Sequence, residues 1–261
     1  MEHHEQALAR YVARESERAD TIAVIVSGSL SRGTERAESD IDLYLLVAED
    51  RWAAALRQQR VMYVEREGAD YEGGYFDVKL ATLSYLDDAA ERGDDPVRSS
   101  FAQARIAFSR IGDLGERIAR VATVPEGQWR SRLASHLAQA RLHGGYFIKQ
   151  GIQRDDPVLS HHAAVHLATS AARAVLALNR TMFPGTKELL STLEAVSDKP
   201  VGMVTAIEEL LRAPSIQGAD RVLELLEPAA GWSLEPEHTL STFVLDNELA
   251  WRYRESPPEY R

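Results

Sequence analysis

Residues 40 to 47, DIDLYLLV, place two aspartates inside an apolar run that has the length and composition of a β-strand. Because strand side chains alternate between the two faces of a sheet, Asp40 and Asp42 share one face. Ile41 and Leu43 share the other, which we expect to be the core side. Like charges this close raise each other's pKa unless a cation intervenes. The pair therefore indicates either two solvated acids on an exposed face or a site for a hard divalent cation.

A third carboxylate is offered by the run YFDVKLAT, residues 75 to 82. Phe76 and Val78 form the apolar face of this predicted strand, and Asp77 and Lys79 lie on its polar face. If the strand neighbours the first pair, three acids come together. Three carboxylates can hold two metal ions, and one of them can take a proton from an attacking hydroxyl. The pattern is typical of phosphoryl or nucleotidyl transfer.

A Gly-Ser pair precedes the aspartates. The run TIAVIVS, residues 21 to 27, predicts a strand that ends at Gly28. Gly28 permits a tight turn or the close approach of a ligand, and Ser29 offers a hydroxyl and a backbone N–H to a phosphate. Alone, such a pair is more often a plain turn. Followed by ten residues and then Asp40 and Asp42, it is far more specific.

This spacing resembles that of the DNA polymerase beta-type nucleotidyltransferase superfamily. The signature is an apolar strand, Gly-Ser, a loop of this length, Asp-x-Asp or Asp-x-Glu, and a third acid on a later strand. Gly28, Ser29, Asp40, Asp42 and Asp77 match it, and the resemblance covers residues 20 to 110. Within the superfamily, the acidic chain with a helical second half is similar to the antibiotic nucleotidyltransferases, which adenylylate aminoglycosides or lincosamides.

The resemblance implies an enzyme that transfers AMP from ATP to a hydroxyl of a small molecule and releases pyrophosphate. Asp40 and Asp42 would bind two Mg²⁺ ions, and ATP would be the co-substrate. Asp77 is the candidate general base and a third metal ligand. Relatives often use a glutamate as the base, so the resemblance leaves open whether Asp77 is the base or only a ligand. An aminoglycoside- or lincosamide-type antibiotic is the expected acceptor.

Strand patterns end near residues 123 to 128, and helical patterns follow. We therefore predict an α+β fold, with a mixed-sheet nucleotidyltransferase domain over residues 1–124. A helical bundle over residues 125–261 would close over substrate and nucleotide. Ser84 and Thr186 are predicted helix N-caps.

The lysine that follows Thr186 is a further candidate. A cation in the first turn of a helix is disfavoured by the helix dipole, whereas a nearby triphosphate would explain it; a solvated lysine is the alternative. Related two-domain enzymes bring a lysine from the helical domain to the phosphates. The predicted nucleotide-binding residues are Gly28, Ser29, Arg32 and Lys187.

Composition restricts the partners. The net charge of −10 disfavours nucleic acid. It either attracts cations, including Mg²⁺ complexes and polyamine-like small molecules, or serves only solubility. The absence of cysteine and of any run long enough for a membrane span fits a cytoplasmic protein. The expected partners are ATP and a small-molecule hydroxyl acceptor, and a homodimer is left open.

Other interpretations stay open beside the leading one. The chain could AMPylate a partner protein, as antitoxin-type nucleotidyltransferases do, although its long helical half argues against this. It could also be a non-catalytic nucleotide-binding module. Of the histidines, His3 and His4 are expected to form a mobile chain end. His162 and His166 share a helix face, where packing or surface roles are expected rather than metal binding.

Overall fold

The computed structural model describes residues 1–258, which divide into two compact units. The first unit comprises Met1–Gly93 and Val97–Thr123 and contains a mixed sheet with helices. The second comprises Asp94–Pro96 and the residues from Val124 onward, and it is helical over the part that the structure describes. The predicted α+β fold is confirmed. Residues 259–261 of the predicted helical domain lie outside the described residues.

The first unit is built on one five-stranded sheet. Its strands are β1 (Thr21–Val26), β2 (Ile41–Val47), β3 (Met62–Glu65), β4 (Phe76–Ala81) and β5 (Arg105–Ser109). Their order across the sheet is β3-β4-β2-β1-β5. The two strands that carry the predicted acids, β2 and β4, are parallel neighbours, and the other neighbouring pairs are antiparallel.

Helices cover both faces of this sheet. They are α1 (Glu2–Ser16), α2 (Gly28–Arg32), α3 (Glu49–Arg57), α4 (Leu83–Arg92), α5 (Asp95–Ala102) and α6 (Leu114–Val121). Apolar side chains of α1 and α3 pack on the face that Ile41 and Leu43 occupy. Apolar side chains of α4, α5 and α6 pack on the opposite face.

The expectation that the face of the aspartates lies away from the core is wrong, because α4, α5 and α6 form a core on that face too. Tyr44, two residues beyond Asp42, is buried against Phe101, with ring centroids 4.5 Å apart. Its hydroxyl lies 3.0 Å from the Ser100 hydroxyl. Asp40 and Asp42 lie outside this core because they are at the beginning of the strand. Leu46, further along the same face, is fully buried.

Two local predictions in the first unit need correction. Thr82, not Ser84, is the N-cap of α4, and its Oγ1 accepts a hydrogen bond from the Tyr85 amide at 3.1 Å. The sequence patterns also did not predict α5. That helix carries the fully buried Arg98, whose guanidinium donates to backbone carbonyls near the ends of α4 and α6, those of Ala90, Gly93, Val121 and Thr123. Cations at helix C-termini satisfy carbonyls that the helix leaves unpaired.

The second unit is a set of helices packed around one long, alanine-rich helix. They are α7 (Gln128–Leu142), α8 (Ile148–Gln153), α9 (Pro157–Leu178), α10 (Leu189–Ala195), α11 (Met203–Arg212), α12 (Ile216–Ala230), α13 (Thr239–Asp246) and α14 (Ala250–Tyr253). A π-helical turn, His143–Phe147, joins α7 to α8. Most alanines of α9 are fully buried, and their small side chains let neighbouring helices approach closely.

The predicted N-cap in the segment after α9 needs correction. Thr186 is not an N-cap: it begins a short 3₁₀ turn, Thr186–Glu188, which Gly185 precedes. Asn179 braces the segment. Its Nδ2 donates to the Val175 and Asp198 carbonyls, and its Oδ1 accepts from the Asp198 amide at 3.1 Å.

Among residues 1–258, no helix combines the length and apolarity that crossing a bilayer requires. A cytoplasmic location stays a prediction. The predicted absence of membrane and nucleic-acid partners also stays a prediction.

A cluster of three histidines lies in the second unit. His143, in the π-helical turn, stacks on His166 with ring centroids 4.7 Å apart, and His162 lies beside both. His143 is buried, its Nδ1 has no hydrogen-bond partner, and burial, together with His166 and His162, lowers its pKa to about 3. His143 therefore stays unprotonated in the folded state at pH values just below the ordinary pKa of histidine, where the unfolded chain binds a proton at this residue.

From this lowered pKa we expect the second unit to lose stability on acidification. A base whose pKa is lower in the folded state leaves stability unchanged at pH 7 and lowers it as the pH falls below about 6.5. His143→Gln should reduce the loss of unfolding free energy between pH 7 and pH 5 by about 2 kcal/mol in urea titrations. His161→Gln, at an exposed position of α9, is the control. Equal pH dependence in both variants would contradict the assignment.

Candidate active site

The predicted site residues meet at the edge of the sheet where β1 ends and β2 and β4 begin. The Ser27 amide, just after β1, donates to the Asp42 carbonyl at 3.0 Å. Asp42 and Asp77 are register partners on the parallel strands β2 and β4. Asp40 lies one residue before β2. The backbone pairing alone thus brings residues from three segments of the chain to one place.

The three carboxylates converge. One oxygen of each of Asp40, Asp42 and Asp77 lies within 4.8 Å of the others, and all three side chains are partly buried. Among residues 1–258, this is the single group of three or more histidines or acids with ligand atoms so close together. Oxygen ligands at this spacing suit hard divalent cations such as Mg²⁺.

The electrostatics of the cluster are unfavourable without a cation. Burial raises the pKa of Asp42, and the charges of Asp40 and Asp77 raise it further, against the smaller opposing effects of Lys79 and Arg32. Burial also raises the pKa of Asp77, with Lys79 opposing and Asp40 adding to the effect. A divalent cation would remove the repulsion that these shifts express.

One oxygen of the cluster has no protein partner. Oδ1 of Asp77 is buried and makes no hydrogen bond. Leaving a buried carboxylate oxygen without a partner is costly, so such atoms call for a ligand. The three carboxylates, with Oδ1 of Asp77 free to act as a ligand, fit a bound divalent cation.

Gly28 makes room for this arrangement. Its φ of +68° is in the left-handed region. A Cβ added there would lie 1.9 Å from Oδ2 of Asp42 and 3.0 Å from its Cβ. No other residue fits beside Asp42 without displacing it, which gives a physical reason for the glycine beyond the turn itself.

The other predicted nucleotide-binding residues are placed as follows. Ser29 lies in the first turn of α2 and is partly buried, and its carbonyl accepts from the Thr34 amide at 3.0 Å. Arg32 ends α2, is exposed, and acts electrostatically on Asp42. Lys187 belongs to the second unit, in the 3₁₀ turn, and is exposed. Their roles in nucleotide binding stay predictions.

Two further residues of the first unit reach the carboxylates. A hydrogen bond to Asp40 raises the pKa of the Tyr75 phenol. Lys79, which acts on both Asp42 and Asp77, also lies over the Tyr44 ring at 5.7 Å. Strand alternation places Tyr75 and Lys79 on the same face as Asp77, but alternation alone assigns them no role.

The expectation that His3 and His4 form a mobile end is wrong. His4 is fully buried, and its Nε2 lies 3.1 Å from the Ser39 carbonyl. Nε2 of His3 lies 2.9 Å from the Ala37 carbonyl. The start of α1 is therefore attached to the loop that leads into Asp40. The signal was present: His4, Ala7, Leu8 and Tyr11 have helical spacing, and all four are buried.

The fold and site thus define an α+β protein with a three-carboxylate centre at the edge of a mixed sheet. No family model matches the chain, and no curated protein matches it. Among solved structures, it is similar to a nucleotidyltransferase-like protein from Exiguobacterium sibiricum, at 16% sequence identity and a TM-score of 0.48. The match covers 92% of this chain and 76% of the other.

Proposed function

We propose that this chain is a Mg²⁺-dependent nucleotidyltransferase that transfers AMP from ATP to a hydroxyl of a small molecule. The observation that carries the proposal is the convergence of Asp40, Asp42 and Asp77, with oxygens within 4.8 Å of one another. The unpartnered Oδ1 of Asp77 and the room left by Gly28 beside Asp42 support it. A purely structural role for the carboxylates would explain neither their convergence, nor the unpartnered oxygen, nor the space beside Asp42.

The residues of the site take distinct roles in this reaction. Asp40 and Asp42 hold the metal ions, and Asp77 contributes a third carboxylate. When bound by these carboxylates, two Mg²⁺ ions would neutralise phosphate charge and would stabilise the charge that develops in an in-line displacement. Ser29 and Arg32 orient the triphosphate, and Lys187 is proposed to bind it as well.

The bond changes balance with no further reactant. The acceptor oxygen forms a bond to the α-phosphorus of ATP, the bond from that phosphorus to the oxygen bridging to the β-phosphate breaks, and pyrophosphate leaves. The hydroxyl proton goes to Asp77. Asp77 is the register partner of Asp42, and its carboxylate lies at the same centre, where the acceptor hydroxyl would react.

The acceptor class follows from charge and from the sequence resemblance. A chain with a net charge of −10 attracts cationic molecules. We propose an aminoglycoside- or lincosamide-type antibiotic as the acceptor, modified in the cytoplasm.

The proposal predicts an AMP adduct. Purified protein incubated with ATP, Mg²⁺ and a panel of aminoglycosides and lincosamides should give an adduct of AMP mass on at least one compound. Asp77→Asn should lower its rate by about 10²- to 10⁴-fold if Asp77 is the general base. Asp88→Asn, at an exposed position of α4, should leave the rate unchanged. No adduct on any compound would overturn the acceptor class, and AMP on a co-expressed protein instead would favour protein AMPylation.

A further inference from the structure

One carbonyl oxygen beside the carboxylate cluster accepts two side-chain hydrogen bonds. The Tyr71 hydroxyl donates to the Ser39 carbonyl at 2.8 Å, and Nε2 of His4 lies 3.1 Å from the same oxygen. Because a carbonyl oxygen only accepts, His4 must carry its proton on Nε2. Both donors therefore act on the peptide that links Ser39 to Asp40.

A histidine is an energetically unfavourable residue at the position of His4. It is fully buried, its Nδ1 has no hydrogen-bond partner, and burial lowers its pKa. Its ring packs against Tyr71 and His3, with centroid distances of 4.8 and 4.1 Å. An apolar side chain would pack in this place without an unpartnered polar atom. The one interaction that an apolar side chain cannot supply is the hydrogen bond to the Ser39 carbonyl.

Asp40 needs such support more than the other two acids. Asp42 and Asp77 are paired within the sheet, whereas Asp40 lies just outside β2. On one side of Asp40, the Ile41 amide donates to the Tyr75 carbonyl at 3.0 Å. On the other side, the structure offers the Ser39 contacts.

Two hydrogen bonds between Arg36 and Ser39 close the turn that precedes Asp40. The Ser39 amide donates to the Arg36 carbonyl at 3.1 Å, and the Arg36 amide donates to the Ser39 hydroxyl at 2.9 Å. His4 and Tyr71 attach this closed turn to α1 and to the segment before β4. The peptide before Asp40 is thereby fixed from two separate parts of the first unit.

We propose that His4 and Tyr71 are positioning residues that hold Asp40 in place for metal binding. The proposal rests on the proposed function, since it assigns these residues to the same metal site. Two hydrogen bonds on one carbonyl fix the direction of the Asp40 backbone before any cation arrives. Preorganised ligands bind a metal more tightly because less ordering remains to be done on binding.

Tyr71→Phe tests the proposal by removing one hydroxyl. We expect Mn²⁺ to bind about tenfold more weakly than to the wild type, measured by titration in the presence of a non-hydrolysable ATP analogue. Tyr63→Phe is the matched control, because Tyr63, in β3, is also partly buried in the first unit and the phenol that acts on it is that of Tyr11. Its Mn²⁺ affinity should stay within about twofold of the wild type. Thermal midpoints measured in parallel separate a metal effect from a loss of stability.

His4 variants provide a second, independent test. The side-chain amide of glutamine can donate from about the position of Nε2, so His4→Gln should retain most of the Mn²⁺ affinity. His4→Leu, which keeps the burial and loses the donor, should bind Mn²⁺ as weakly as Tyr71→Phe. Wild-type affinity in both Tyr71→Phe and His4→Leu would overturn the positioning role and leave the proposed function intact. A wild-type protein that binds no Mn²⁺ with the nucleotide analogue would overturn both.

Discussion

Gly28→Ala is expected to abolish most of the activity while leaving the chain folded. The new Cβ would lie 1.9 Å from Oδ2 of Asp42 and 3.0 Å from its Cβ, so rotating the carboxylate does not relieve the whole contact. Displacing a reacting group by about 1 Å can cost about 10²-fold in rate. We expect a loss of at least this size in AMP transfer and a weaker affinity for Mn²⁺.

Gly33→Ala is the matched control for this experiment. Gly33 has the same φ of +68°, but nothing lies within 4 Å of its added Cβ. Both variants should therefore lose about 1–2 kcal/mol of unfolding free energy from the left-handed backbone. Only Gly28→Ala should lose metal affinity and activity. Equal losses of activity in the two variants would show that the turn, rather than the space beside Asp42, is what matters.

Asp42→Asn is expected to separate activity from stability. Removing a proposed metal ligand should lower the rate of AMP transfer by at least about 10³-fold, because metal coordination contributes several kcal/mol to the transition state. In the metal-free protein at pH 7, the same change should raise the unfolding free energy by about 1 kcal/mol. Urea unfolding in a chelator measures this gain.

The sign of the stability change follows from the raised pKa of Asp42. Burial, Asp40 and Asp77 raise it, so the folded state holds the proton to a higher pH than the unfolded chain does. Ionisation at neutral pH therefore favours unfolding, and the gain from Asp42→Asn should vanish below the ordinary pKa of aspartate. Mg²⁺ should stabilise the wild type and not the variant.

Asp87 supplies the control of opposite sign. Burial acts to raise its pKa, but Arg117 and Arg120 outweigh burial and hold it below the usual value. Asp87→Asn should therefore destabilise the metal-free protein at pH 7. If Asp42→Asn destabilises the protein as Asp87→Asn does, the carboxylate cluster is not under electrostatic strain and the account of the site is wrong.

Strand alternation predicted much of the site because it is a local property of the chain. It separates Asp42 from Ile41 and Leu43, and it puts Asp77 opposite to Phe76 and Val78, as the structure has them. Alternation does not reveal whether a second layer covers the other face. The burial of Tyr44 depends on helices that follow much later in the chain, so it could not be read from β2.

Other features depend on tertiary contacts that local patterns do not contain. Gly28 was predicted as a turn residue, but the need for space beside Asp42 follows from the pairing of β1 with β2. The 3₁₀ turn at Thr186 replaced a predicted N-cap, since a single threonine after Pro-Gly does not determine the kind of helix that follows. His4 was misread because a histidine pair near a chain end is usually solvated, although its spacing from Leu8 and Tyr11 predicted burial.

The central claim is that Asp40, Asp42 and Asp77 bind divalent cations together with a nucleoside triphosphate. Crystals grown with Mn²⁺ and a non-hydrolysable ATP analogue test it most directly, because anomalous scattering locates Mn²⁺ without reference to the protein. We expect anomalous peaks for Mn²⁺ next to the carboxylates of Asp40 and Asp42 and next to the phosphates of the nucleotide. Nucleotide bound with no Mn²⁺ at these carboxylates, or no binding of either, would contradict it.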